Sequence, residues 1–459
     1  MTERGPSPRA LAVRFAVLLG LVARAGWIYA RYWLDERGLV RAREGTIAEL
    51  MSRFAVRFVR IAGVYKGGLI KLGQVASLRV DVLPDAVSAE LAKLQDRVDA
   101  HPLAEIRAQV ERELGGSLEH HFTAFSEDAI AAASLGQVHE ARLRSGERVA
   151  VKVLYPGVEK SVAVDLTAAR VGLWLFDFVT VAELDQVYAQ VRDSIRGEMD
   201  YVAEGHAAEE VARNLAADPE LARHTRVPRI HWPLTRRRVL TMDFVAGTKI
   251  NDRAGLAARG IEPREIALWA VRAFLHQMFR DGFFHCDPHP GNLVVDEAGR
   301  VGILDFGMHQ RLGPRVLTLL RESLLATVAR DPIRYARAFL EAEMIRPEDL
   351  ATVEEIGRIS FDPKYWNLTP KELAQIDMGA YVLRMRSQMK RVRSFQIPDG
   401  IVLWGRAFGL LMGLASELAP GIRPMEVVGP YVIRFLAAPS PAAARKSAGS
   451  PHEVDGAPG

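Results

Sequence analysis

The chain has 459 residues, 49% of them hydrophobic and 25% charged, an ordinary globular balance long enough for a two-lobed domain plus extensions. Its formal net charge is only +4, no lysine and arginine run with interleaved aromatics occurs, and no zinc-spaced Cys/His cluster exists, so a nucleic-acid partner is excluded. One cysteine, Cys286, excludes an internal disulfide and fits a reducing compartment.

Residues 1–45 form a basic, apolar N-terminal extension. Phe15 to Ala23 is an uninterrupted apolar stretch of nine residues, too short to span a bilayer. At about 100° per residue, Arg14, Arg24 and Arg31 fall on one sector of a helix. Leu11, Phe15, Val22, Tyr29 and Trp33 cluster on the roughly opposite sector. That pattern fits a helix lying in a membrane interface, and equally a helix docked on the protein body. Ala23-Arg24-Ala25 also resembles a signal-peptide cleavage site, but the catalytic motifs further along argue against export.

Thr46-Ile47-Ala48-Glu49 has the pattern of a capping box and starts a helix with an apolar face through Phe54, Val56, Phe58 and Val59. Pro84-Asp85 marks a break and a fresh helix start toward Gln95. Residues 46–115 are therefore a helical cover. The segment 116–246 reads as a small lobe. Its runs Gln137–Arg144 and Arg148–Leu154 flank Ser145-Gly146 and predict a β-hairpin. Lys152 stands in the second run, within Val149-Ala150-Val151-Lys152, where a kinase lysine would reach the α/β-phosphates of ATP. Just before the hairpin lies Ala131-Ala132-Ala133-Ser134, where a protein kinase has a glycine-rich loop. Alanine backbone can still approach phosphates, but it is stiffer than glycine at positive φ. Val239 to Val245 reads as the strand entering a hinge, with backbone groups from Asp243 to Val245 meeting the adenine, or as a plain buried strand.

Residues 247–435 form a large lobe, and its motifs are the most specific in the chain. His285-Cys286-Asp287-Pro288-His289-Pro290-Gly291-Asn292 is followed by Asp305-Phe306-Gly307, with the apolar strand Val301–Leu304 leading into the triplet. Phosphoryl transfer needs ligands that hold Mg²⁺ against the phosphates and a carboxylate near the attacking oxygen. Asn292 and Asp305 suit the first task and Asp287 the second. A lone Asp-Phe-Gly means little, but the paired motifs at kinase spacing are far more specific. Ile401 to Leu418 is very apolar, yet it contains Arg406, Glu417 and three glycines, and so reads as a buried helix. Residues 436–459, rich in Ala, Pro, Ser and Gly, read as a disordered tail with no membrane anchor.

On these motifs the chain resembles the UbiB/AarF family of atypical kinases over roughly Ile61 to Pro430. Lys71-Leu72-Gly73-Gln74 matches the family's Lys-x-Gly-Gln signature, followed by Leu83-Pro84 and by Leu94-Gln95-Asp96. The alanine-rich loop, Glu198-Met199-Asp200 and Phe284 to Asn292 match further family blocks, with Cys286 where alanine is common. The resemblance implies an α+β, two-lobed protein-kinase-like fold whose N-terminal helices cover the active site. It places Lys71 and Gln74 near Glu198, Asp200 and the phosphates. It leaves Glu204 and Glu198 as alternative partners for Lys152.

Departures from protein kinases bear on substrate. Cys286 stands where arginine would, which argues against control through arginine–phosphate pairs. Cys286 itself reads as a small thiol with no catalytic role. His289 replaces a common lysine, and no Ala-Pro-Glu segment follows Asp305. The implied function is a Mg²⁺- and ATP-dependent kinase or ATPase supporting isoprenoid-quinone synthesis, cytoplasmic and peripheral on an anionic membrane surface. A lipid or quinone-precursor ligand and quinone-biosynthesis enzymes are the implied partners. The alternatives are a small-molecule kinase and a nucleotide-sensing scaffold.

Overall fold

A computed structural model describes residues 6–37, 39, 46–77, 90, 100–176, 184–361, 391–392 and 399–437. Leu83-Pro84, the expected helix start at Pro84-Asp85, Leu94-Gln95-Asp96 and the tail beyond 437 lie outside them. In chain order the strands are β1 (Phe122–Ala132), β2 (Gly136–Leu143), β3 (Arg148–Leu154), β4 (Thr225–Arg226), β5 (Val239–Asp243), β6 (Gly247–Lys249), β7 (Phe283–His285), β8 (Leu293–Asp296), β9 (Val301–Ile303) and β10 (His309–Arg311). The chain forms two compact units: 1–206 with 229–244, and 207–228 with 245–459. The division departs from a single boundary near 246. Residues 207–228 join the second unit because β4 pairs in parallel with β9, Thr225 opposite Val301.

The first unit is built on an antiparallel sheet ordered β1-β2-β3-β5. The expected hairpin is present as β2 and β3, in register from Gly136 opposite Leu154 to Arg142 opposite Arg148. β3 is central and buried along most of its length, as its run of valines and alanine suits. β1 is an addition to the expected pair. It carries bulges around Phe122–Ala131, which hide its alternation in the sequence.

Seven helices of this unit matter for the site. They are α1 (Pro8–Glu36), α2 (Thr46–Tyr65), α3 (Gly68–Ser77), α4 (Leu103–Leu114), α5 (Val158–Phe176), α6 (Leu184–Gly197) and α7 (Tyr201–Ala216), whose last turns continue into the second unit. Between Lys152 and Glu198 the chain forms α5 and α6.

α1 is docked on this unit. Leu18 and Leu21 are buried in one cluster with Ala55 and Ala62 of α2, Leu69 and Ile70 of α3, and Ala168 of α5. Arg14 is buried beside Asp165 of α5. By length and composition the whole Pro8–Asp35 helix is also apolar enough to cross a membrane, which corrects the reading that its apolar stretch is too short to span. Arg24 interrupts the apolar run without ending the helix. Glu49 pairs with Arg53 one turn on, and the side chain of Thr46, the other half of the expected capping box, lies outside the described residues.

In the second unit the sheet order is β4-β9-β8-β6, and β7 pairs separately with β10. Helix α8 (Pro263–His276) buries Ile266, Ala267, Ala270, Val271 and Phe274, a stripe at helical spacing. It continues as a π-helical turn, Gln277–Asp281, and stops at Gly282 in the left-handed region. Two further helices are α9 (Pro314–Ala329) and α10 (Asp399–Leu418). α10 packs against α8 and β10, so the apolar Ile401–Leu418 segment is a packed helix.

Candidate active site

Each unit carries its own cluster of expected functional side chains. In the first, Lys152 projects from the central strand β3. Its Nζ donates to Glu204 Oε1 at 2.7 Å and to Oε2 at 3.0 Å. The side chain of Glu204 is only 2% exposed. Lys152 also lies 5.1 Å from the ring centre of Tyr201, a cation–π distance. The geometry thus separates the two glutamates: Glu204 takes Lys152, whereas Glu198 lies 2.7 Å from Lys71 Nζ. Both of these latter side chains are largely buried.

The assignment follows from local structure. α6 ends at Gly197, and Glu198-Met199-Asp200 forms the turn to α7. Asp200 Oδ1 accepts the N–H groups of Val202 and Ala203, so Asp200 caps α7. Glu204 then falls inside the first helical turns, while Glu198 stays in the loop. Gln74 lies in α3 with Lys71, but its side chain is outside the described residues.

The alanine-rich segment is less of a loop than expected. Ala131 and Ala132 end strand β1 and pair with Val138 and Gln137. Ala133 N–H donates to Gly136 O at 2.8 Å to close the turn. Ser134 and Leu135 form its tip. The hinge segment is also partly committed: Asp243 N–H donates to Arg229 O and Phe244 N–H to Arg148 O. The Asp243 carboxylate holds His231 Nε2 at 2.8 Å. Val245 is the first residue of the second unit's closing segment.

The second unit assembles Asp287, Asn292 and Asp305 through one hairpin. β8 pairs with β9, Leu293 opposite Ile303, and Leu304 N–H extends the ladder to Asn292 O at 3.0 Å. Asn292 and Asp305 therefore flank the same end of the hairpin. Asp287 N–H donates to His285 Nδ1 at 3.0 Å, and His289 N–H donates to Asp287 O at 2.7 Å. His289 Nδ1 accepts Gly291 N–H, which tightens the turn before Asn292. Asn292 Nδ2 donates to Asp287 O at 3.2 Å and approaches Oδ2 at 3.4 Å. Gly307 N–H donates to Asp305 Oδ1 at 2.9 Å.

Buried groups support these loops. His285 packs edge-on against Phe274 and Phe306, and burial holds its ring below the usual imidazole range. It stays neutral, with Nδ1 the acceptor for Asp287 N–H. Burial pushes the Cys286 thiol up, so it is an inert neutral group as the sequence suggests.

Mg²⁺ prefers oxygen ligands and commonly takes one or two from protein, with the rest from phosphates and water. The Asn292 amide oxygen and the Asp305 carboxylate, at one end of one hairpin, fit that donor set. Among the described residues no group of three or more His, Cys, Asp or Glu gathers to hold a metal without a nucleotide.

One residue of this cluster was not foreseen. Arg406 of α10 donates Nη2 to Asp287 Oδ1 at 3.1 Å. The available signal was a lone arginine inside an apolar helix, which needs a partner when the helix is buried.

Comparison with known proteins settles the family. The profile of the ABC1 atypical kinase-like domain matches residues 93–338. The chain belongs to the ABC1 atypical kinase-like family. Its relatives include the Arabidopsis thaliana chloroplastic protein ACTIVITY OF BC1 COMPLEX KINASE 8, 32% identical over 80% of this chain and 52% of that one. ACTIVITY OF BC1 COMPLEX KINASE 3 of the same plant is 33% identical over 87% of this chain and 56% of its own length. The Marinobacter nauticus probable protein kinase UbiB is 32% identical over 79% of this chain and 66% of that protein. The chain spans about half the length of the plant relatives it matches. Among solved structures, Mycobacterium tuberculosis Rv3197, determined with erythromycin, has a TM-score of 0.54 at 21% identity, covering 87% of this chain and 100% of that one. The fold is accordingly kinase-like and α+β. The chain is an atypical kinase-like protein of the ABC1/UbiB group.

Proposed function

We propose that this ABC1-family chain is a Mg²⁺-ATP-dependent atypical kinase or ATPase of the UbiB type, acting in isoprenoid-quinone synthesis or lipid handling at a membrane. The observation that carries the reading is the two-point contact of Lys152 with buried Glu204, the ion pair that fixes a kinase lysine for phosphate. In this reading Lys152 meets the α/β-phosphates of ATP and Ser134 meets phosphate from the tip of its turn. Val245 offers the backbone contact to adenine, because the N–H groups of Asp243 and Phe244 are already used. Asn292 and Asp305 hold Mg²⁺, which supplies neutralisation of the charge that develops on the phosphoryl oxygens. Asp287 orients the attacking hydroxyl or water. Lys71, tied to Glu198, lines the same nucleotide-handling machinery with Gln74. A quinone-precursor or other lipid is the proposed acceptor-side ligand, and quinone-biosynthesis enzymes are the proposed partners.

The membrane part of the reading rests on α1 and α2. Trp27, Val13 and Tyr32 of α1 and Val56 and Val64 of α2 are exposed apolar side chains, interspersed with Arg24, Arg31 and Arg57. Exposed apolar groups with arginines suit an anionic lipid surface. The reading puts the protein peripherally on the cytoplasmic face of that membrane.

The test is ATP hydrolysis by the purified chain, with and without anionic liposomes carrying a quinone-precursor phenol. Asp305→Asn is expected to abolish turnover while leaving the circular dichroism unchanged. Turnover of that variant within a few-fold of the parent would sink the metal assignment. Turnover indifferent to lipid, with a stoichiometric phosphorylated product, would move the reading to a soluble small-molecule kinase.

A further inference from the structure

α10 is an apolar helix with one guanidinium in its middle. Arg406 donates Nη2 to Asp287 Oδ1 at 3.1 Å, and Nη1 approaches Met308 Sδ at 3.8 Å. Its side chain is 19% exposed. Met308 directly follows the Asp305-Phe306-Gly307 triplet, and its carbonyl accepts Cys286 N–H at 2.9 Å. One side chain thus touches both segments, the loop that holds Asp287 and the segment that follows the triplet. Asn292 Nδ2 approaches the other oxygen of Asp287.

A guanidinium is costly to bury, and a helix needing only packing would carry leucine here. The fork geometry of arginine also fits two acceptors at a fixed spacing better than lysine does. Arg406 lies beyond the segment 93–338 that the family profile matches. The position beside Asp287 in sequence, Cys286, carries no charge.

We propose that Arg406 is a positioning residue for phosphoryl transfer, acting through Asp287. It fixes one carboxylate oxygen while Asn292 fixes the other, so that the carboxylate presents a single orientation to the attacking hydroxyl or water. The C-terminal helix then belongs to the catalytic machinery rather than to its scaffold. The catalytic consequence rests on the phosphotransfer reading; the anchoring of the loop does not.

The experiment uses the full chain with Arg406→Met, which keeps the volume, and Arg406→Lys, which keeps the charge. Arg406→Met should lower kcat for ATP by about 10²-fold, the scale of a misplaced catalytic group, with KM for ATP within two-fold. Arg406→Lys should recover part of the loss. In an Asp287→Asn background, Arg406→Met should lower the residual turnover no further. Amide hydrogen exchange across residues 283–293 should quicken in Arg406→Met at a temperature where both proteins are folded. A kcat within two-fold of the parent, multiplying effects in the double variant, or unchanged exchange each overturns the proposal. A parent without Asp305-dependent turnover overturns the phosphotransfer reading and the catalytic role with it. The exchange result then separately accepts or rejects Arg406 as the anchor of the loop.

Discussion

Arg14→Leu should release α1 from the first unit at a cost of about 3–5 kcal/mol, the usual penalty for removing one partner of a buried ion pair. Arg14 Nε and Nη2 hold the Asp165 oxygens at 2.5 and 2.6 Å, and Nη1 and Nη2 also donate to the carbonyls of Tyr65 and Lys66 at 2.7 and 2.9 Å. The side chains of Arg14 and Asp165 are 8% and 0% exposed, so solvent screens the pair little. Burial pushes the Asp165 carboxyl up and Arg14 opposes it; without Arg14, burial acts with less opposition. Leucine restores apolar volume but none of these contacts. The start of α3 is also closely fitted, since a Cβ on Gly68 would lie 2.8 Å from Asp165 Oδ2. The double change Arg14→Leu/Asp165→Leu removes both charges and should recover at least half of the loss. Urea unfolding followed by circular dichroism gives the energies, and trypsin cleavage within residues 24–31 reports whether α1 is released. A single-variant loss below about 1 kcal/mol, or a double variant no better than the single, would refute a helix held by this pair.

Glu204→Gln keeps the volume beside Lys152 but removes the charge that orients it; ATP turnover should fall by at least about 10-fold with the melting temperature changed by only a few degrees. Gly136→Ala places a Cβ 2.4 Å from Val153 O and 2.6 Å from Tyr201 Oη, and should cost about 1–3 kcal/mol in thermal or urea unfolding. Asp281 offers a pH test. Burial raises its carboxyl to about 6, against an ordinary value of 3.8. An acid with a raised native pKa favours the folded state when protonated, so stability falls as pH rises from about 4 through 6. Asp281→Asn should flatten that limb and raise the melting temperature at pH 7.5, read by calorimetry from pH 4 to 8. An unchanged limb would assign it to other groups.

The motifs of the candidate site were legible because their geometry is local. Asp287, His289 and Asn292 lie in one tight turn, and the β8–β9 hairpin that adds Asp305 closes over a few residues. The strands β2 and β3 were legible for the same reason. The choice between Glu198 and Glu204 was not, because it depends on where α6 ends and on Asp200 capping α7. β1 escaped notice because its bulges around Ser126-Glu127-Asp128 break the alternation. Arg406 meets Asp287 across 119 residues of chain, a separation at which sequence pattern carries no partner information. α1 showed an amphipathic pattern, but the side that docks is the Arg14 sector and not the Leu11–Trp33 one: Leu18 and Leu21 are buried and Arg14 meets Asp165, a pairing that sequence pattern does not announce.

The parallel pairing of β4 with β9 also bears on synthesis at the ribosome. The chain leaves the first unit after His206, returns at Arg229, and leaves again after Phe244. Strand β5 can complete the first unit's sheet once residue 243 has emerged. β4 emerges earlier, yet its partner at Val301 is still untranslated. At about 5–20 residues per second, the wait is roughly 4–15 seconds. During that interval β4 and the short stretch that joins it to the end of α7 wait without their strand partner beside a nearly finished unit, and they are where a holding chaperone would have something to grip.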